Sequence, residues 1–331
     1  MGENRIEKIF KQIDEATELI EHHTNEPYLD SLSIVFEWIL YEELPESIHD
    51  LLQQKLKNMI QFKDIDELPK DQKRKLTELL ILKGMKENTQ PNHFITPETI
   101  GLFVSYLVNK FISNKEDLRI FDPVCGTGNL LLTVLSQLTT DYKAYGSDVD
   151  PTLIRLAVNN ANFQEEEIEF FHQDSLRPFL LDPVDIVLAD LPVGYYPDDM
   201  VAEKYELKAK EGYSYAHHLL IEQSLTYTKD GGYLFFLIPE FLFESDQAEQ
   251  LKTYLHNNAH IVGVLRLPDN VFKSKKHVKS IFILQKKGKE TKNPHQPLLA
   301  MLPSFTDTTA MESILAQINE WFTNYFKHKD V

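Results

Sequence analysis

The sequence predicts an α/β fold: a doubly wound, mainly parallel sheet of seven strands preceded by a helical N-terminal domain. Three observations lead there. Between residues 119 and 285, short apolar runs of strand length alternate with helical stretches, the pattern of βαβ units whose sheet is covered on both faces. The first of these runs leads into a glycine-containing turn that opens a helix, Phe121-Asp122-Pro123-Val124-Cys125-Gly126-Thr127-Gly128-Asn129. Ahead of residue 94, apolar residues instead recur at helical spacing.

At 331 residues, 42% of them hydrophobic, the chain has material for about two domains of ~150 residues. In the N-terminal part Ile6, Ile9, Phe10, Ile13, Ala16 and Ile20 form one stripe. Further helical stretches are expected at Leu29 to Tyr41, Ile48 to Phe62 and Leu76 to Met85, with Pro27, Pro45 and Pro69 at their boundaries. His22 and His23 end the first helix and read as solvent-exposed, so no metal ligands are expected. The polar, breaker-rich stretch 87–93 marks a domain boundary. The expected division is a helical domain over 1–90, the α/β domain over 91–302 and a helical extension over 303–331. The helical domain caps the cleft or holds a protein partner.

The seven strands are expected at Arg119 to Val124, Lys143 to Ser147, Ile168 to His172, Val184 to Ala189, Tyr233 to Ile238, Ile261 to Leu267 and Ser280 to Gln285. Only the loop Pro268 to Lys279 joins the last two, without a helix, which makes the last strand antiparallel. The single cysteine, Cys125, excludes an intramolecular disulfide. With no charged-then-apolar leader and no apolar run of about 18 residues, a soluble cytoplasmic protein with no membrane association is expected.

A formal net charge of −17 opposes nonspecific binding to nucleic acid unless basic residues gather on one face. Lys273, Lys275, Lys276, Lys279, Lys286, Lys287, Lys289 and Lys292 do gather in sequence, opposed only by Glu290. They read either as phosphate contacts or as a solvated loop with a lysine-guarded strand edge.

Glycines at a strand–helix turn bring backbone N–H groups close to a ligand. A dinucleotide fingerprint asks for a third small residue where Leu131 stands, and a nucleoside triphosphate loop asks for a Gly-Lys-Ser/Thr run that is absent. Acidic residues then follow in order. Asp148 ends the second strand, twenty residues past Gly128, where a carboxylate accepts hydrogen bonds from ribose hydroxyls. Asp150 before Pro151 reads as a helix N-cap. Asp174 ends the third strand, where it faces the amino protons of an adenine.

Asp122-Pro123-Val124-Cys125-Gly126-Thr127-Gly128 resembles the first motif of the adenine-specific (N-6) DNA methylases. These are class I methyltransferases with a Rossmann-like sheet, and the modification subunits of type I restriction systems are the nearest match. His93-Phe94-Ile95-Thr96-Pro97 is similar to the family's Phe-Tyr-Thr-Pro motif, which lies over the methionine end of the cofactor. Asp230-Gly231-Gly232 to Pro239, Val264-Leu265-Arg266-Leu267-Pro268 and Lys279-Ser280-Ile281-Phe282 match its later sheet. The resemblance covers about residues 75–287. It implies S-adenosylmethionine as cofactor and Thr96, Pro97, Asp122, Cys125, Gly126, Asn129, Asp148 and Asp174 as its contacts.

After the fourth strand the family carries Asn/Asp-Pro-Pro-Tyr/Phe. An adenine amino group is a poor nucleophile because its lone pair is spread into the ring. Acceptors for its two N–H bonds localise that pair, and an aromatic ring stacks on the flipped base. Here the segment reads Asp190-Leu191-Pro192-Val193-Gly194-Tyr195-Tyr196. Asp190 and Pro192 match, whereas Val193 replaces the aromatic residue, a role left to Tyr195 or Tyr196. The catalytic set expected is Asp190, Pro192 and Tyr195. The expected function is methyl transfer to an amino nitrogen, with adenine in DNA first. Transfer to an RNA base or a protein amide, and cofactor binding without catalysis, stay open. No large target-recognition domain is expected in the 303–331 extension.

Overall fold

Ile9, Ile13, Ala16 and Ile20 are all fully buried, so the stripe in the first helix is the face on which the N-terminal region assembles. The computed structural model describes residues 5–87, 95–112, 116–272 and 277–327. The N-terminal helices are α1 (Arg5–Thr24), α2 (Tyr28–Tyr41), α3 (Asp50–Met59), α4 (Phe62–Asp66) and α5 (Lys70–Glu87). All but the first residue of the expected boundary at 87–93 lies outside the described residues.

The remainder follows as α6 (Glu98–Ile112), β1 (Leu118–Asp122), α7 (Asn129–Leu135), β2 (Tyr142–Asp148), α8 (Pro151–Phe163), β3 (Ile168–His172), β4 (Val184–Asp190), α9 (Asp199–Ala202) and α10 (Ala216–Tyr227). The chain continues through β5 (Thr228–Pro239), α11 (Ala248–Asn258), β6 (Ala259–Arg266), β7 (Lys279–Lys286), β8 (Leu298–Met301) and α12 (Thr308–Lys327). The sheet order is β3-β2-β1-β4-β5-β7-β6-β8. All seven expected strands are present, and β7 runs antiparallel to both β5 and β6. An eighth strand, β8, adds to the edge of the sheet parallel to β6. It has four residues, of which only Leu298 is buried, too little alternation to be read in advance.

The order reverses between β1 and β4, which opens a crevice at the carboxyl ends of these strands. One face of the sheet packs against α6, α7 and α12, the other against α10 and α11. α12 belongs to the first face: Phe322 meets Phe111 at 4.8 Å between ring centroids, and the Tyr325 and Tyr233 hydroxyls lie 3.0 Å apart. Among the described residues no helix is long and apolar enough to cross a membrane.

The N-terminal helices share their core with α8, since Leu156 and Phe163 are buried among them. Polar contacts reinforce the seam. Arg155 donates to both oxygens of Glu37 at 2.7 Å, Asn159 Nδ2 donates to the Ser33 carbonyl at 3.2 Å, and Thr152 Oγ1 donates to Asp30 at 2.7 Å. Only two residues separate the end of β2 from α8, so the helical region backs the crevice.

Gly146, in β2, lies under the glycine turn. A Cβ there would come within 2.8 Å of the Phe170 ring and 3.2 Å of Cys125 Sγ. Overpacking of this kind costs about 1–3 kcal/mol, so Gly146→Ala is expected to lower the unfolding free energy by that amount, seen as a lower urea midpoint at unchanged slope. An unchanged midpoint would show that the Phe170 ring turns aside freely and that the turn is not tightly packed.

Candidate active site

The four strand ends β1 to β4 place an acidic residue each, or close to each, along the crevice. Asp122 ends β1, is buried, and accepts from the Val124 N–H at 3.1 Å. Burial, and then the carboxylates of Asp148 and Asp190 nearby, push its carboxyl well above the usual range. The chain next turns through Cys125, whose N–H donates to the Ser147 carbonyl at 2.9 Å, and closes with the Gly128 N–H on the Cys125 carbonyl at 2.8 Å.

Gly126 (φ +53°) and Gly128 (φ +77°) both sit in the left-handed region, where side chains are strained. A Cβ on Gly126 would meet nothing within 4 Å; conformation and approach, not packing, ask for glycine there. The Gly126 N–H donates to Asp148 Oδ2 at 2.8 Å, while Asp148 Oδ1 accepts from the Asp150 N–H at 2.9 Å. Asp150 caps α8 as expected, accepting from Thr152 and Leu153 ahead of Pro151.

Asn129, the first residue of α7, is buried and donates from Nδ2 to the Thr96 carbonyl at 2.6 Å. The Thr96 hydroxyl donates to Asp190 Oδ2 at 2.8 Å. Pro97 opens α6, its carbonyl accepting from Ile100 and Gly101. Thus four expected residues, Thr96, Asn129, Asp148 and Asp190, stand on two hydrogen-bonded paths out of one turn. His93 and Phe94 lie outside the described residues.

Asp190 Oδ1 is ion-paired and hydrogen-bonded to Lys279, a residue the sequence reading left in the lysine cluster. Sequence order hides the pairing and sheet order reveals it: Lys279 is in register with Pro239 of β5, and Asp190 with Leu237 of the same strand. Lys286 and Lys287 do not converge there. Lys286 donates to the Thr228 carbonyl and Lys287 to the His256 carbonyl, at the opposite end of β7 from Lys279. Lys273, Lys275 and Lys276 lie outside the described residues.

Asp174 follows β3 and accepts from the Leu176 N–H at 3.0 Å and from the Tyr196 hydroxyl, with Arg177 Nε at 3.5 Å. Tyr196 is therefore a buried partner of Asp174. Tyr195 points the other way, 59% exposed and stacked on Tyr215 at 4.9 Å and 18°. The loop after Pro192 is pinned to the segment before α10, with the Ala216 N–H on the Gly194 carbonyl at 2.9 Å and the Tyr196 N–H on the Ser214 carbonyl at 2.8 Å. Sequence reading also missed His217 and His218, which are buried behind this loop. Burial first, and His218 second, bring the His217 imidazole down to about 3 against the pull of the Pro192 carbonyl; burial brings His218 down to about 4. Both are neutral near pH 7 and act as packing for the loop.

Residues 77–301 match the N-6 DNA methylase family, and residues 7–85 match the YtxK N-terminal helical domain. An uncharacterised protein of Bacillus subtilis, YtxK, is 45% identical over 328 residues, 97% of this chain and 99% of its own length. A solved structure from Listeria monocytogenes, assigned to the class I S-adenosylmethionine-dependent methyltransferases, superposes with a TM-score of 0.89 at 40% identity over 96% of this chain and 99% of that one. The methylase subunit of the Escherichia coli type I restriction enzyme EcoEI is 24% identical over 266 residues, 73% of this chain but only 53% of that protein.

The lone thiol reports on the turn. Cys125 is buried, and burial followed by the carboxylates of Asp122 and Asp148 pushes its thiol well above the usual range. Since the thiolate is the reactive form, iodoacetamide at pH 8 is expected to label native protein at least about tenfold more slowly than protein unfolded in urea. Equal labelling rates in the two states would mean that the turn is open.

Proposed function

Because this chain belongs to the N-6 DNA methylase family and is an S-adenosylmethionine-dependent methyltransferase by family and fold, we propose that it methylates an amino nitrogen, with adenine in DNA the acceptor that its Asp-Leu-Pro-Val loop suits best. The observation that carries this is Asp190, whose carboxylate ends β4 at the switch point, held by Thr96 and partly exposed.

The residues present fit the cofactor. The open side of Gly126 lets a ligand reach the backbone, and the carboxylates at the end of β2 and two residues past β3 suit ribose hydroxyls and an adenine amino group. We assign Asp148 to the ribose and Asp174 to the adenine, where Tyr196 would share the Asp174 carboxylate. Asp122, Cys125, Gly126 and Asn129 line the turn, with Thr96 and Pro97 at the methionine end. When bound, S-adenosylmethionine supplies a methyl group on a cationic sulfonium. Asp190 accepts an N–H of the incoming amino group and so localises the nitrogen lone pair. Pro192 holds the loop backbone beside it, and Tyr195 offers an exposed ring for stacking on an unstacked base. The 1–90 domain, through α1 to α5, acts as a helical partner-holding unit behind the 91–302 catalytic domain, and in the 303–331 extension α12 completes one sheet face.

A second reading, cofactor binding without transfer, draws support from Lys279 on Asp190 and from Val193 where the family has an aromatic ring. Transfer of labelled methyl from the cofactor to duplex DNA, RNA and cell protein separates the readings. The expected result is label in adenine of DNA. Asp190→Ala should cut turnover by roughly 100-fold or more, the scale of losing a transition-state hydrogen-bond partner, with cofactor affinity unchanged, and Asp190→Asn should be milder. Label in RNA or protein moves the acceptor; no label in any, with cofactor bound, favours the second reading.

A further inference from the structure

We propose that Lys279 is the specificity-determining residue of the acceptor site, and that with Asp190 it selects an amino group flanked by a lone-pair atom over a simple amine. This rests on the amino-nitrogen reading above and names the chemical edge that the site takes.

The two side chains stand as a fixed couple across β5. Thr96 Oγ1 occupies one oxygen of Asp190 from one side, and the Lys279 ammonium takes the other oxygen. Both side chains keep about a fifth of their surface, 21% for Lys279 and 19% for Asp190. Each therefore keeps surface that a ligand can reach. An ammonium carries three N–H donors and a carboxylate about four acceptor sites. Their contact with each other, and that of Asp190 with Thr96, leaves a donor and an acceptor to present side by side.

The complement of that couple is a planar edge with an N–H donor next to a lone pair. Adenine has one on each side of its amino group, cytosine has one, and a primary carboxamide has one. An alkylammonium does not: it satisfies Asp190 but turns a cation and N–H bonds towards a second cation. Because the pair is neutral as a unit, it also exerts little net pull on charge and discriminates by hydrogen-bond pattern. A site that must reject a ligand lacking one partner does so strongly, because its own buried polar group is then left unmatched. Lys279 acts on the acceptor edge directly, whereas Thr96 and Asn129 only position Asp190.

The test uses protein saturated with S-adenosylhomocysteine, so that the adenosine pocket is filled, and NMR titration with small probes. Adenine is compared with 1-deazaadenine and 7-deazaadenine, which lose the lone pair on one or the other side of the amino group, and benzamide is compared with benzylamine. Wild-type protein is expected to hold adenine at least about tenfold tighter than one of the two deaza forms, and benzamide likewise over benzylamine, the scale of a hydrogen bond to a charged group. Lys279→Met should erase both preferences. Lys279→Gln, which keeps a neutral donor of similar reach, should retain part of them and serves as the working variant if the first does not fold. No preference in wild type, binding of none of the probes, or preferences that survive Lys279→Met would overturn the proposal. Binding of benzamide over benzylamine without binding of adenine would sink the adenine reading and leave the role of Lys279 standing.

Discussion

The carboxylate of Asp148 is the constraint on which the crevice depends. One oxygen takes the Gly126 N–H and the other the Asp150 N–H, so the turn after β1 and the turn after β2 share one anchor. Hydrogen bonds to a charged acceptor contribute about 1.5–3 kcal/mol each, enough to hold Gly126 in the left-handed region with its open side towards solvent. The same carboxylate backs onto the start of α8, and α8 is the helix against which the N-terminal helices bury Leu156 and Phe163.

From that turn the path continues to Asp190. Asn129 begins α7 where the turn finishes, fixes Thr96 by its carbonyl, and Thr96 fixes Asp190 by its hydroxyl. Asp122, Asp148 and Asp190 are close enough together for their charges to raise the Asp122 carboxyl. A crevice walled by carboxylates suits a cationic ligand such as a sulfonium, and Lys279 offsets the charge at Asp190. The loop that carries Asp190 is held from behind by Ser214, Ala216 and two neutral buried histidines, so its shape does not rely on the acceptor being present.

Much of this was legible in the residue order because it is local. Alternation of apolar runs is a property of single elements, and all seven strands fell where the runs are. The Asp150 cap followed from its place before Pro151. The glycines at 126 and 128 followed from the strand–helix turn. What escaped reading depends on neighbours in space. The link from Lys279 to Asp190 spans 89 positions and exists only because β7 doubles back along β5. The inward turn of Tyr196 and the outward stack of Tyr195 on Tyr215 were hidden by the same cause, since a two-residue choice of direction is set by the bridge to the segment before α10. β8 was too short to show a period. α12 looked like an extension because its apolar face is complemented by Phe111 and Tyr233, far away in the chain.

Calorimetric titration of S-adenosylmethionine into wild-type protein and into Asp148→Ala tests the role of that carboxylate most directly. Saturable one-site binding is expected in the wild type. In the variant it should be weaker by about 1.5–3 kcal/mol, roughly 10- to 150-fold, through loss of the ribose contact and of the Gly126 anchor. Equal affinity in the two proteins, or no binding by the wild type, would contradict the assignment of the crevice as the cofactor site.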